Sequence, residues 1–316
     1  MKTQLDTKRI VTYLIISFGF TYLMSLVIYL TGGIVDSPEI VPGTGIQLYL
    51  VLLVVAMFGP LLGHIGTRLL TREGWQGMGL RPNLRQGWRY WLLMWVLPPL
   101  LIAVGAGIYY LVFPQHFDPN ATLMRDQLAA AAPGTESQVW LIMAAQIGAA
   151  FFIGPIINLL PMLGEEFGWR AYLQPKLLPL GERKMMVVMG VIWGLWHAPI
   201  IGMGYNYGFD YPGAPWSGIL LFCWFTFVAG TLLGWATLRG KSVWPAVIGH
   251  GMINGFGGIV AFFTQGTPNS LIGPATVGIV GSAGFTLVAL WIFFFKLKSE
   301  PVEEWPFATQ EPVPQP

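Results

Sequence analysis

Gly164-Glu165-Glu166-Phe167-Gly168-Trp169-Arg170 decides how the rest of the chain is read. It follows a run, Val139 to Leu163, that carries no charge. A carboxylate at the centre of a bilayer costs about 2.5–3.5 kcal/mol even on lenient insertion scales, so two adjacent ones need a partner or a wet cavity. Arg170 stands at the i,i+4 spacing from Glu166 that suits an ion pair on one helix face. Glu165 is left without a partner of its own. The competing interpretation places the cluster at a membrane surface as a solvated helix end.

Composition favours a membrane setting. Of 316 residues, 54% are hydrophobic and 10% charged, where soluble proteins carry about 25% charged residues. The mean hydropathy is +0.59. Fourteen Trp and twenty Phe suit lipid contact and interfacial belts. No basic patch interleaved with aromatics is present, which argues against a nucleic-acid partner. The single cysteine, Cys223, rules out an intrachain disulfide and a cysteine-based zinc site.

Spanning helices need roughly 17–25 apolar residues. Segments of that kind fall at 10–30, 46–67, 90–113, 139–163, 185–203, 216–238, 243–263 and 271–295. The expected fold is therefore an all-α integral membrane protein of about eight transmembrane helices. The first segment is read as a retained signal anchor. Residues 1–298 form one polytopic domain, and 299–316, with five Pro and four Glu, form a disordered tail. If the N-terminus is cytoplasmic, the inner segments are 1–9, 68–89, 164–184, 239–242 and 296–316. They hold sixteen of the seventeen Lys and Arg residues, leaving only Arg125 outside. The positive-inside rule thus predicts a multi-pass protein of the cell membrane with both termini cytoplasmic.

Helix-forming sequence continues past Leu163 to about Leu178, too long for one straight span, with Pro155, Pro161 and Gly164 available to break it. The turn at Pro179-Leu180-Gly181 then predicts a helical hairpin. Glu165 precedes Gly181 by sixteen residues and His197 follows it by sixteen. At about 1.5 Å per residue both lie roughly 24 Å from the turn. Of four histidines, His64 is read as interfacial and His116 as a loop residue. His250 and Asn254 are i,i+4 and share one helix face at a similar depth.

Glu165, Glu166, Arg170, His197, His250 and Asn254 thus converge in an expected polar intramembrane cavity. With no Ser or Cys singled out as a nucleophile, activated-water hydrolysis of an amide fits this set. Glu165 would be the base. His197 would orient the water or protonate the amine, and His250 with Asn254 would donate to the oxyanion. A second version binds a divalent metal such as zinc through Glu165, His197 and His250. The local H-E-x-x-H signature is absent, and the sequence leaves the metal-dependent and metal-free versions open. The rival function is transport or binding, with the same cluster as a proton or ion relay. No internal repeat of the transporter kind is visible. A non-catalytic scaffold or immunity role is a third alternative.

E-E-x-x-x-R, then aromatic-x-x-x-His, then His-x-x-x-Asn resembles the CPBP intramembrane proteases: type II CAAX prenyl endopeptidases and their abortive-infection and bacteriocin-processing relatives. The motifs span Met162 to Gly258. The resemblance implies Glu165 as the water-activating residue, Glu166 and Arg170 as its support, His197 as the second catalytic group, and His250 with Asn254 as the third motif. It implies a membrane-embedded or lipid-anchored peptide or protein as substrate, and an eight-helix fold whose cavity opens to the cytoplasm. Trp193 stands where the pattern usually has Phe, and is read as a packing aromatic.

Overall fold

The computed structural model describes residues 5–300. Most of the expected tail, 301–316, lies outside the described residues. Among them the fold is all-helical, with only two isolated bridges, Glu39 to Gln47 and Phe117 to Thr264.

Five helical stretches are long and apolar enough to cross a membrane: Thr7–Leu30, Leu48–Thr71, Leu84–Val112, Trp216–Gly240 and Trp244–Phe263. The other three expected spans take a different form. Residues 139–168 break into Val139–Phe152, Gly154–Ile157 and Leu159–Gly168. The first break falls at Ile153, just before Gly154-Pro155, where the missing proline N–H and its ring disfavour a continuous helix. Residues 182–202 divide at His197 into Glu182–Trp196 and Ala198–Gly202. Between 271 and 295 only Ala283–Phe295 is an α-helix.

Trp216–Gly240 is the central helix. Of its apolar window 61% is buried, against 28% for Thr7–Leu30 and Leu48–Thr71, whose outer faces are left for lipid. The central helix packs on Glu182–Trp196, Leu84–Val112, Trp244–Phe256 and Ala283–Phe295. Small residues set the closest approaches, as in membrane bundles generally. A Cβ at Gly190 would lie 2.5 Å from Phe227 Cα, and one at Gly194 2.6 Å from Cys223 Cα. This Gly-x-x-x-Gly step seats the helix that carries Trp193 and His197. Gly168 does the same for the glutamate helix, since a Cβ there would meet the Pro60 carbonyl at 2.4 Å.

The two ends of the bundle differ in charge. At one end Arg9 and Lys176 pair with Glu73, and Arg239 with Glu182 at 3.4 Å. Asn83 donates to the Gly240 carbonyl there, and the Gly181 turn meets Ser299. At the other end backbone groups take most of the contacts: Tyr207 donates to the Val277 carbonyl at 2.9 Å, the Gln265 N–H to the His116 carbonyl at 2.9 Å, and Arg125 to the Asn120 and Glu136 carbonyls, each at 2.8 Å.

Candidate active site

The helix Leu159–Gly168 carries both glutamates inward, and it runs into a π-helical turn at Trp169–Leu173. Such turns recur at functional sites because they re-aim side chains within a helix. The hairpin expected at Gly181 is present: a 3-10 turn at Leu178–Leu180, Gly181 at φ +84°, then the helix from Glu182. Only glycine adopts that backbone without strain.

The two glutamates have separate surroundings. Glu166 is fully buried, and its Oε1 accepts from Arg170 Nη1 at 2.9 Å and from His250 Nδ1 at 2.8 Å. The Arg170 guanidinium also lies 4.5 Å over the ring of Trp193. Glu165, 2% exposed, accepts on Oε2 from the indole N–H of Trp193 at 3.0 Å and more weakly from that of Trp169 at 3.4 Å. One carboxylate is thus tied into a salt bridge. The other is held by neutral donors through one oxygen, Oε2.

His197 sits at the break between two helices. Its backbone N–H turns to the Gly194 carbonyl, three residues back. That frees the carbonyl of Trp193, which accepts from the ring Nδ1 of His197 at 2.8 Å. A carbonyl can only accept, so Nδ1 carries the proton and Nε2 keeps its lone pair. Phe222 and Trp196 flank the ring, each with centroids 4.6 Å away.

Glu165, Trp193, His197, His250 and Asn254 line one cavity of about 470 Å³. Asn254 has a single weak contact, Nδ2 to Met162 Sδ at 3.4 Å, so its carboxamide is available to a ligand. The structure therefore brings together all the residues singled out by motif, with Glu166 and Arg170 behind the cavity wall and the other four on it. Among the described residues no group of three or more His, Cys, Asp and Glu is arranged to hold a metal ion. The hydrogen bonds on Glu165 Oε2 and His250 Nδ1 leave Glu165 Oε1 and His250 Nε2 over, so what decides is that the three side chains are not gathered into a metal-holding group. The ligand set Glu165, His197, His250 does not fit a metal in this arrangement.

Two expectations change. Trp193 is more than packing, because its indole N–H reaches Glu165. His64 is not interfacial. It is fully buried, its Nε2 accepts from Arg68 Nε at 2.7 Å, and its Nδ1 bonds the Phe167 carbonyl at 2.9 Å, next to the glutamates. The i,i+4 spacing of Trp169 from Glu165 was a signal available in the sequence. The His64 contact spans 103 positions and had no local signal.

Comparison with known proteins agrees with the motifs. Residues 135–256 match the family model described as type II CAAX prenyl endopeptidase Rce1-like. That stretch contains all six singled-out residues. CAAX prenyl protease 2 of Methanococcus maripaludis is 30% identical over 105 residues, which is 32% of this chain and 38% of that relative. The resemblance to this group of membrane proteases is thus shown for the central part of the chain, and the match covers well under half of the relative's length.

Proposed function

We propose that the chain is an intramembrane endopeptidase that hydrolyses a peptide bond of a membrane-embedded or lipid-anchored substrate with an activated water. The observation that carries this is the buried Glu165 carboxylate at a cavity shared with His197, His250 and Asn254. The five long helices, with the broken or shorter segments at 139–168, 182–202 and 271–295 counted as crossings, make eight passes, and the placement of the basic residues favours both termini in the cytoplasm.

Each group has a derived task. His197, neutral with its Nδ1 proton on the Trp193 carbonyl, accepts a hydrogen bond from the water at Nε2 and orients it. Glu165 Oε1 takes the water's other proton as oxygen attacks the scissile carbonyl. Asn254 Nδ2 donates to the oxyanion, beside His250. Glu165 then returns its proton to the departing amine as the C–N bond breaks, so protons balance within one turnover. Glu166 holds Arg170 and His250 in place, and Arg170 stacked on Trp193 holds the indole that grips Glu165. The step needs no other nucleophile.

The test is cleavage of membrane-anchored peptides by the purified full chain in liposomes, beside Glu165→Gln. Cleavage lost only in the variant supports the reading. A wild-type protein that cleaves nothing but binds a ligand dependent on Glu165 replaces it with a binding or transport role.

A further inference from the structure

His197 owes its place to a break in its helix, and the break has a cause in the sequence. Pro199 has no N–H, so the Leu195 carbonyl lacks the donor that the fourth residue on supplies in a regular helix. The proline ring also crowds that same carbonyl. Leu195 lies on the outer face of the bundle, 42% exposed. Hydrocarbon offers no donor there, so a carbonyl without a protein partner is costly.

The partner comes from the first helix, Thr7–Leu30. Tyr22 Oη donates to the Leu195 carbonyl at 2.8 Å, across 173 positions of sequence. Its neighbour Thr21 acts on the next residue. Thr21 Oγ1 accepts from the indole N–H of Trp196 at 2.9 Å and donates to the Ala56 carbonyl at 3.0 Å. Glycine at 59 makes room for this arrangement, since a Cβ there would collide with the Thr21 hydroxyl. Trp196 in turn stands edge-on to the His197 imidazole, with centroids 4.6 Å apart. Two adjacent residues of one helix thus hold the carbonyl and the indole immediately before His197.

What this fixes is the imidazole. The His197 backbone N–H bonds the Gly194 carbonyl, and the Trp193 carbonyl is left to the ring Nδ1. If the break relaxes toward a regular helix, the backbone N–H returns to the Trp193 carbonyl and competes with Nδ1 for it. The ring is then free to turn and to exchange its proton between the two nitrogens.

We propose that Thr21 and Tyr22 are positioning residues for His197: the first helix clamps the break at residues 195–197 and so aims the Nε2 lone pair at the reacting water. Both lie outside the stretch 135–256 that matches the protease family, so this support comes from a part of the chain that the match does not cover. The proposal rests on the peptidase reading above.

The test uses the full chain, with three measurements: turnover of a membrane-anchored peptide in liposomes, thermal unfolding in detergent, and nitrogen NMR of the labelled histidine rings. The His197 signals are assigned by their loss in His197→Gln. Tyr22→Phe and Thr21→Val each remove one hydroxyl at nearly constant shape. Each should lower kcat about 10-fold with KM within about 2-fold of wild type, and shift the His197 signals toward the tautomer mixture of a free imidazole. Thr21→Ser keeps the hydroxyl and should bring kcat and signals back to wild type. Tyr29→Phe, on the exposed side of the same helix and away from the cavity, should change neither. Unmoved His197 signals in both Tyr22→Phe and Thr21→Val overturn the proposal. So does a lower melting temperature with kcat per folded molecule unchanged, which would make the contacts structural only. Should Thr21→Val fail to fold, Tyr22→Phe at its exposed position carries the same outcomes. The ring signals need no hydrolysis, so a wild-type protein that cleaves nothing loses the peptidase reading while the signals still decide whether the first helix holds His197.

Discussion

Trp193 donates its indole N–H to Oε2 of Glu165 at 3.0 Å, while the Arg170 guanidinium stacks on the same ring. One aromatic side chain therefore connects the free carboxylate to the arginine that neutralises its neighbour. Trp193→Phe keeps a ring for Arg170 and His250 and removes only the donor. Hydrogen bonds to charged groups are worth about 1.5–3 kcal/mol, so kcat should fall about 10–100-fold with little change in KM or expression. Wild-type kcat in this variant would mean that Trp169 alone positions Glu165.

Glu165→Gln keeps shape and removes the base. It should insert and run normally on gel filtration, yet lose about 10²–10⁴-fold in hydrolysis. Asn254→Ala should cost about 10²–10³-fold as one of the oxyanion donors. A Glu165→Gln enzyme with wild-type turnover would mean the base has been misassigned.

Arg170→Ala acts on a different property. It leaves the fully buried Glu166 with His250 as its remaining partner among the contacts seen. Removing one member of a buried ion pair costs about 3–5 kcal/mol. The yield of folded protein should drop together with activity, as read by fluorescence-detected gel filtration. Full yield with activity lost would instead make Arg170 a direct participant in the chemistry.

His64→Ala should destabilise. It removes the acceptor of the Arg68 Nε–H and the partner of the Phe167 carbonyl in a buried setting, while Arg68 keeps its bonds to the Gly74 and Gln76 carbonyls, at about 1–3 kcal/mol for a buried group left unsatisfied. The measurement is thermal unfolding in detergent beside His116→Ala. His116 bonds Tyr109 Oη at 2.6 Å and does not line the cavity, so its loss should leave turnover close to wild type. Equal melting of His64→Ala and wild type would show that the buried imidazole is dispensable.

Much of the site was legible because it rests on local geometry. Glu166 with Arg170, and His250 with Asn254, are each four residues apart on a helix, and that spacing survives any tertiary arrangement. The hairpin at Gly181 was legible because proline and glycine punctuate the chain there. The span count was less so. Hydropathy sees apolar length, whereas the breaks at Ile153, Asn158 and His197 depend on which carbonyls find other donors.

What the sequence by itself determined is an all-helical protein with helices apolar enough to cross a membrane, the six polar residues of the candidate site, and the concentration of basic residues in a few connecting segments. These follow from composition, helical period and charge, which need no contacts. Only the tertiary structure decided that Trp193 grips Glu165, that His250 pairs with Glu166, that His64 is buried behind the glutamates, and that Glu165, His197, His250 and Asn254 line one cavity. The hydrogen bonds join residues 28, 84 and 103 positions apart. Such contacts exist only once helices have chosen their neighbours, and a cavity's lining is set by the faces those neighbours leave apart.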